Sequence, residues 1–429
     1  MKFSIYTLGC KVNQYETQAM ERELLRRGHT LVPFEDLADA YIINTCTVTA
    51  VSDKKCRNVI RRAKKMNPQA VVAVCGCYAQ TEPEAVAALG VDLVSGTAGR
   101  MEFLDLLEGQ LKNHAAPIVQ VDESLRRRDF ERLTAGGQVG RTRAMLKVED
   151  GCTNFCTYCI IPYARGPVRS LPRSEAVDQA KELEAQGYRE IVLTGIEISS
   201  WGRDLKEGQT LIDLVEALCH AVPGLRVRLG SLEPRTITED FCQRAVALPN
   251  LCPHFHLSMQ SGCDETLKRM NRKYDTARYL QSVQWLNQYF DRPAITTDLI
   301  VGFPQETEEE FAQTLDFIRR CAFSSMHIFP YSRRSGTPAA TMAGQIPHAV
   351  QEQRAQAAQA VAREMEEAYL QALVGSTLPV LFEEEKEGLW QGHAPNYVAV
   401  RAAGENLHNQ LRQVTVTGVG DGILLGTIQ

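Results

Sequence analysis

Residues 151–166 read GCTNFCTYCIIPYARG, with Cys152, Cys156 and Cys159 in a CxxxCxxC spacing directly after an apolar run at 145–148. Three thiols inside eight residues can wrap one face of a metal centre, and no further cysteine follows until Cys219. A closed structural zinc site takes four ligands. An iron–sulfur cube held by three cysteines instead keeps one iron open to an outside ligand. A triplet at the end of a strand-like run therefore points to the cube, with a zinc knuckle as the competing reading.

Outward from this loop the chain repeats a strand–helix unit. Apolar strand-like runs recur at 145–148, 191–194, 227–229, 255–258, 295–301 and 326–329. Helical periodicity separates them at 174–186, 211–221, 238–247, 276–290 and 308–320. Six units in about 190 residues are too few for an eight-stranded barrel, so the spacing predicts an open, partial (β/α)6 barrel. Chemistry in such a sheet belongs at the C-terminal ends of the strands, where the cysteine loop lies.

Upstream, apolar runs at 3–8, 41–44, 71–75 and 91–94 alternate with amphipathic stretches such as 16–27 and 54–66. That alternation predicts an α/β domain over 1–113 with a doubly wound parallel sheet. Parallel strands end at one common edge. Cys10, Cys46 and Cys77 each follow one of these runs, so they can converge although far apart in sequence. Cys75 competes with Cys77, but Gly76 frees the backbone to turn and favours Cys77. The competing reading is three buried free cysteines.

Residues 114–140 hold Pro117, Gly136, Gly137, Gly140 and the basic cluster Arg126, Arg127 and Arg128, and read as a linker. The barrel domain then spans 141–370 and includes much of a long helix-prone stretch at 347–373. Residues 371–429 carry about five short β-rich runs, among them 378–382, 397–400, 414–419 and 423–428, which predict a small all-β barrel.

Composition sets the outer limits. At 429 residues the chain suits three domains. Hydrophobic residues at 44% and charged ones at 23% exclude a disordered or collagen-like chain. No apolar run approaches the 18 or so residues that cross a bilayer, so no membrane association is expected. The start, MKFSIYTLGC, has no signal-peptide core, which predicts a cytoplasmic protein. A net charge of −5 argues against a general nucleic-acid coat while leaving room for a local basic site. Thirteen cysteines in such a compartment are buried apolar residues or ligands rather than disulfides. Cys56, Cys75, Cys219, Cys242, Cys252, Cys263 and Cys321 read as structural.

GCTNFCTYCIIPYARG resembles the cluster loop of radical S-adenosylmethionine (SAM) enzymes, and specifically of the methylthiotransferases. TLGCKVNQYET (7–17), INTCTV (43–48) and CGCYAQ (75–80) resemble the motifs of that family's N-terminal domain. Further matches are LTGIEISSWG (193–202), GSLEP (230–234), FHLSMQSG (255–262), TTDLIVGFPQET (296–307) and FPYSRRSGTPAA (329–340). The C-terminal barrel resembles a TRAM domain, so the resemblance spans essentially the whole chain. CPHFHLSMQSG, LKRMNRKY and the IIPYARG turn are most similar to the branch acting on threonylcarbamoyladenosine beside the tRNA anticodon.

The resemblance implies a radical SAM enzyme with two 4Fe–4S clusters that places a methylthio group on carbon 2 of that adenine. One SAM would give the methyl group and a second would be reductively cleaved at the cluster of Cys152, Cys156 and Cys159. Cys10, Cys46 and Cys77 would hold the second cluster and handle the sulfur. A flavodoxin or ferredoxin would supply electrons, and a monomer is expected. Branches acting on isopentenyladenosine in tRNA or on an aspartate of a ribosomal protein are the enzyme alternatives; a metal-containing RNA-binding module is the alternative without catalysis.

Polar residues at barrel strand ends are the candidate SAM contacts: Thr194, Gly195 and Glu197, then Ser231 and Glu233, then Gln260. Each also reads as a plain strand-to-loop transition. Tyr158 could pack on the adenine or shield the cluster. For RNA the candidate is KKCRNVIRRAKK (54–65), where Lys54, Lys55, Arg57, Arg61, Arg62, Lys64 and Lys65 face no acid in the same segment. Arg126, Arg127, Arg128, Arg141 and Arg143 form a second basic group. Residues 371–429 run the other way, with Lys386, Arg401 and Arg412 outnumbered by acids that include Glu383, Glu384 and Glu385. Such a balance is a weak footprint for RNA and would suit a basic protein partner.

Overall fold

The computed structural model describes residues 1–113, 115–134, 136 and 141–429. Lys2–Thr7 (β1), Thr30–Leu31 (β2), Ala40–Thr45 (β3), Val71–Gly76 (β4), Leu93–Ser95 (β5) and Ile118–Gln120 (β6) form one sheet in the order β2-β1-β3-β4-β5-β6. Every pairing in it is parallel. Side chains alternate across a strand, and both faces are apolar here. Tyr41, Ile43, Val72 and Val74 pack against Cys56, Ile60 and Ala63 of Ala50–Met66 (α2). Ile42, Ala73 and Cys75 pack on the other face against Met20 and Leu24 of Lys11–Arg26 (α1), with Phe103 and Leu107. The sheet is thus doubly wound, as expected.

The expected linker departs from that reading. Residues 118–120 add the edge strand β6 to the sheet, paired with β5 from Leu93 to Ser95. A three-residue strand flanked by Pro117 is too short to show a period in sequence. Gly137 and Gly140 lie outside the described residues.

The central strands are Arg143–Lys147 (β7), Glu190–Thr194 (β10), Arg226–Leu229 (β11), Ser231–Leu232 (β12), His254–Leu257 (β13), Ala294–Val301 (β14) and Ser325–Pro330 (β15), with a small hairpin of Glu149–Asp150 (β8) and Arg169–Ser170 (β9). They form two parallel sheets, β11-β10-β7 and β12-β13-β14-β15, which meet at Gly230. A Cβ there would approach the Leu193 carbonyl oxygen to 2.7 Å. This is a partial (β/α) barrel. Ile191, Leu193, Val227, Leu229, Phe255 and Leu257 face the surrounding helices and form the largest core. The alternate residues point inward and, apart from Met145 and Val192, are polar: Arg143, Lys147, Glu190, Arg226, Arg228, His254 and His256.

Thr377–Lys386 (β16), Leu389–His393 (β17), Ala399–Ala402 (β18), Leu411–Gly420 (β19) and Ile423–Ile428 (β20) close into a five-stranded barrel. The helix His348–Gln371 leads into it. The barrel docks on the N-terminal ends of the central strands. Arg143 pairs with Glu383 at 2.9 Å, Arg226 donates to the Pro379 and His393 carbonyls, and Arg228 donates to that of Pro395. Among the described residues, no helix is long and apolar enough to cross a membrane.

Candidate active site

The barrel triplet lies on a loop that leaves β8. Gly151 has φ +94°, and a Cβ there would sit 2.1 Å from the Pro167 carbonyl oxygen, so only glycine fits. Phe155 takes a left-handed φ of +45° between Cys152 and Cys156. The segment LKRMNRKY clamps this loop from outside. Thr157 donates its backbone N–H to the Met270 carbonyl (3.1 Å) and its hydroxyl to that of Arg269 (2.9 Å). Asn271 donates to the Phe155 carbonyl at 2.9 Å, and Arg272 donates to the Cys156 sulfur at 3.2 Å.

The second triplet is assembled by the sheet. Cys10 caps the start of α1 after β1, Cys46 follows β3, and Cys77 opens Cys77–Thr81 (α3) after β4. Gly9 (φ +115°) lets the first two loops touch, since a Cβ on it would lie 2.9 Å from the Cys46 Cβ. Gly76 (φ +97°) turns the chain between strand and helix. It separates the two rival cysteines: Cys75 is fully buried in the core with Phe103 and Leu107, while Cys77 lies at the edge. Burial pushes the Cys77 thiol up to about 12, with Cys10 and Cys46 adding to the shift and Arg165 opposing it. Cys159 is likewise raised to about 12, first by burial and then by Cys156, and it lies within the field of Cys77. The two triplets are neighbours.

Buried ion pairs join the two halves beneath them. Glu16 of α1, wholly buried, meets Arg100 at 2.8 Å, Lys147 of β7 at 3.1 Å, and Arg165. Asp150 binds Lys147 at 2.8 Å and Arg169 at 3.3 Å. Burial alone would raise the Glu16 carboxyl, but Arg100, Arg165 and Lys147 outweigh it and hold it well below the ordinary range. Beside the loop, Arg334 pairs with Asp53 at 2.6 Å and donates to Thr47, next to Cys46.

The donor set fits iron–sulfur chemistry. Each group is all thiol, each has three members, and both are shaped by glycine turns, with Cys46, Cys77 and Cys156 buried, Cys152 and Cys159 partly buried and Cys10 exposed. Among the described residues, no three His, Cys, Asp or Glu side chains converge closely enough for one metal ion. A cube bound at separate corners spreads its ligands more widely than a single ion does. Bare thiols raised to about 12 are protonated at neutral pH, so loading metal expels protons.

The radical SAM superfamily pattern matches residues 146–318, and that of the uncharacterized protein family UPF0004 matches residues 2–96. Threonylcarbamoyladenosine tRNA methylthiotransferase MtaB of Bacillus subtilis (strain 168) is 40% identical over 425 residues, covering 97% of this chain and 94% of its own. The chain belongs to the radical SAM methylthiotransferases. A tRNA-2-methylthio-N(6)-dimethylallyladenosine synthase of Carboxydothermus hydrogenoformans (strain ATCC BAA-161 / DSM 6008 / Z-2901) is 36% identical, covering 82% of this chain and 81% of its own. In fold, the radical SAM methyltransferase TsrM of Kitasatospora setae aligns with a TM-score of 0.58 at 14% identity, covering 91% of this chain and 80% of its own. The cofactors of this methylthiotransferase are SAM and 4Fe–4S iron–sulfur chemistry.

The methylthiotransferase barrel gathers some of the sequence-nominated SAM contacts and not others. Thr194, Gly195 and Glu197 lie beside buried Glu149, whose carboxylate accepts the Glu197 backbone N–H at 2.7 Å. One oxygen each of Glu149 and Glu197 has no partner, and burial raises both carboxyls. Ser231 lines an inner chamber. Glu233 faces a separate cavity of about 430 Å³, where Arg235 engages it at 2.9 Å. Gln260 is buried with φ +70°, its backbone tied to Asp298 and Ile300. Tyr158 packs edge-on against Phe303, 6.5 Å between centroids, in a small core with Met270 and Tyr331.

On α2, Lys54, Lys55, Arg61 and Lys65 are exposed. Arg57 donates to the Tyr78 hydroxyl, Lys64 to the Leu89 and Gly90 carbonyls, and Arg62 to Glu35. Arg57 and Lys64 therefore turn to the domain's own groups, while Arg62, paired with exposed Glu35, stays on the outward face with the other four. Sequence reasoning missed Arg165, Arg272 and Glu149. The arginines lie inside quoted motifs, IIPYARG and LKRMNRKY, but a single guanidinium carries no spacing signal.

Proposed function

We propose that this enzyme adds a methylthio group to carbon 2 of threonylcarbamoyladenosine in tRNA, using two SAM and two 4Fe–4S clusters. The observation that carries it is the adjacency of two independent thiol triplets, joined to full-length similarity with relatives named for that substrate. Cys152, Cys156 and Cys159 would hold the radical-generating cluster, and Cys10, Cys46 and Cys77 the auxiliary one. When bound, the barrel cluster supplies the electron that cleaves SAM to a carbon radical. Arg272 orients the loop through Cys156, and Arg165 offsets the thiolate charge at Cys77. Thr194, Gly195 and Glu197 are proposed as SAM contacts, with Ser231, Gln260 and Glu233 more distant. Tyr158 shields the loop. The exposed lysines of α2 are proposed as phosphate contacts. A flavodoxin or ferredoxin would supply electrons to a cytoplasmic monomer. Residues 1–113, 141–370 and 371–429 are proposed as the functional units.

The test is oxygen-free reconstitution followed by mass spectrometry of three reactions: tRNA bearing threonylcarbamoyladenosine, tRNA bearing isopentenyladenosine, and the ribosomal protein. Methylthio product on the first alone supports the proposal. Product on only one of the others overturns it.

A further inference from the structure

The strands enclose a chamber of two lobes, of about 730 and 600 Å³, both lined by Lys11, His254 and Tyr397. Helix α1 closes the open side of the partial barrel, with Gln14, Thr17 and Gln18 on the wall of the larger lobe. Tyr397 of the C-terminal barrel forms the floor. Its backbone is left-handed (φ +67°), and the guanidiniums of Arg228 and Arg143 lie 4.7 and 5.2 Å from its ring.

The chamber is charged, and its charges are unevenly matched. Arg228 grips Glu190 through two bonds of 2.7 and 3.0 Å, and Arg143 is held by Glu383. At the rim Glu384 pairs with Lys386, and Glu21 lies on the wall. Lys11 and Arg141 differ: among the described residues neither side chain makes an ion pair or a hydrogen bond, and of the two only Lys11 lines both lobes. A second polar group beside it is without a partner. His254 is only 8% exposed, and its Nδ1 has no partner, while Nε2 lies 3.3 Å from the Thr296 hydroxyl. A buried ring nitrogen without a partner is destabilising unless a ligand meets it.

We infer that this lobe receives the carboxylate of the threonylcarbamoyl side chain, with Lys11 as its counter-ion and His254 Nδ1 as a second contact. The inference rests on the proposed substrate and assigns the residues that recognise it. Threonylcarbamoyl ends in a carboxylate; dimethylallyl is hydrocarbon throughout. A hydrocarbon in this lobe would leave the ammonium and the ring nitrogen desolvated and unpaired, which is how a polar site rejects an apolar analogue.

The test uses the full-length, cluster-loaded enzyme and two anticodon stem-loops, one carrying threonylcarbamoyladenosine and one its threonine-amide counterpart. Binding is read by fluorescence anisotropy, and turnover by mass spectrometry. The wild type binds the acid at least ~10-fold more tightly than the amide, equivalent to about 1.4 kcal/mol. Lys11→Gln brings that ratio to about 1, Lys11→Arg restores most of it, and His254→Ala lowers it. Equal binding of acid and amide by the wild type overturns the assignment, as does a Lys11→Gln enzyme that keeps the ratio. Equal weakening of both stem-loops by Lys11→Gln would mark an RNA phosphate as the ligand, and weakened SAM binding without RNA would mark the SAM carboxylate; either overturns it. Should Lys11→Gln fail to load iron beside Cys10, the ratios for Lys11→Arg and His254→Ala decide. Turnover of isopentenyladenosine alone would sink the substrate reading itself, whereas turnover of acid and amide alike would sink only this subsite.

Discussion

The two thiol triplets are placed at strand ends by opposite routes. Cys152, Cys156 and Cys159 sit on one loop, shaped by Gly151 and Phe155 and clamped by the 267–274 segment. Cys10, Cys46 and Cys77 come from three strand ends and meet only because the sheet is parallel. A loop can be rebuilt by local changes; an edge assembled from three strands depends on the whole domain. Topology can thus bring distant cysteines to one sheet edge as surely as spacing gathers neighbouring ones in a loop.

The sharpest way to break the comparison is to remove one ligand from each triplet. Cys152→Ser is expected to take 5′-deoxyadenosine formation to background. Cys77→Ser should keep deoxyadenosine formation and lose methylthio product. Product analysis by mass spectrometry with iron quantification separates the cases, and loss of SAM cleavage in both variants would show that the triplets do not act independently.

Next in size is the ionic joint between the regions. Arg165→Met leaves Glu16 buried with one cation fewer, and breaking a buried pair costs about 3–5 kcal/mol. Urea unfolding of the metal-free chain measures this. A loss below about 1 kcal/mol would mean that Arg100 and Lys147 suffice for Glu16.

These two predictions also mark where the sequence was legible. The strand ends and the barrel class follow from periodicity, and the placement of each cysteine at a strand end follows with them, because period and spacing are one-dimensional signals. The joint of Glu16, Arg100, Lys147, Asp150 and Arg165 does not, since five charged residues spread over 150 positions look like solvated surface until the domains dock. β6 was lost to brevity. Lys11 stood beside a cysteine motif, but its unpaired charge shows only when the chamber is closed by α1 and Tyr397.

Glu190 is the counterpart of Glu16 on the floor side of the barrel. Burial would raise it, yet Arg228 and Arg226 outweigh burial and bring its carboxyl to about 2, from an ordinary 4.5. A depressed carboxyl contributes its stability above the unfolded value and loses it as pH falls through the folded one. Stability worth about 3 kcal/mol is therefore expected at neutral pH and should drain away between about pH 4.5 and 2. Glu190→Gln should flatten that limb of a pH series of urea melts; an unchanged limb refutes the pairing.

Smaller effects sharpen the contrast between the basic helix and the acidic barrel. Lys54→Glu with Lys55→Glu, both exposed on α2, should weaken tRNA binding about 10-fold at low salt. The log–log salt slope should shrink by about one for each phosphate left without its lysine. An unchanged slope would place the RNA elsewhere.

The smallest expected effect is on the C-terminal barrel. Its acidity reads as hostile to RNA in sequence, but Glu383 is turned inward to Arg143 and to His393 Nδ1, at 2.9 and 2.8 Å. Glu384 is taken by Lys386. That acid serves docking, so the barrel's outer face is less negative than its composition implies. Arg412 lies on this exterior, engaged only with Gln410 among the described residues. Arg412→Ala should therefore change tRNA affinity by less than about 0.5 kcal/mol, while Glu383→Gln should loosen the barrel from the central strands and lower the melting temperature. A large loss of tRNA binding with Arg412→Ala would make the C-terminal barrel, rather than α2, the principal RNA surface.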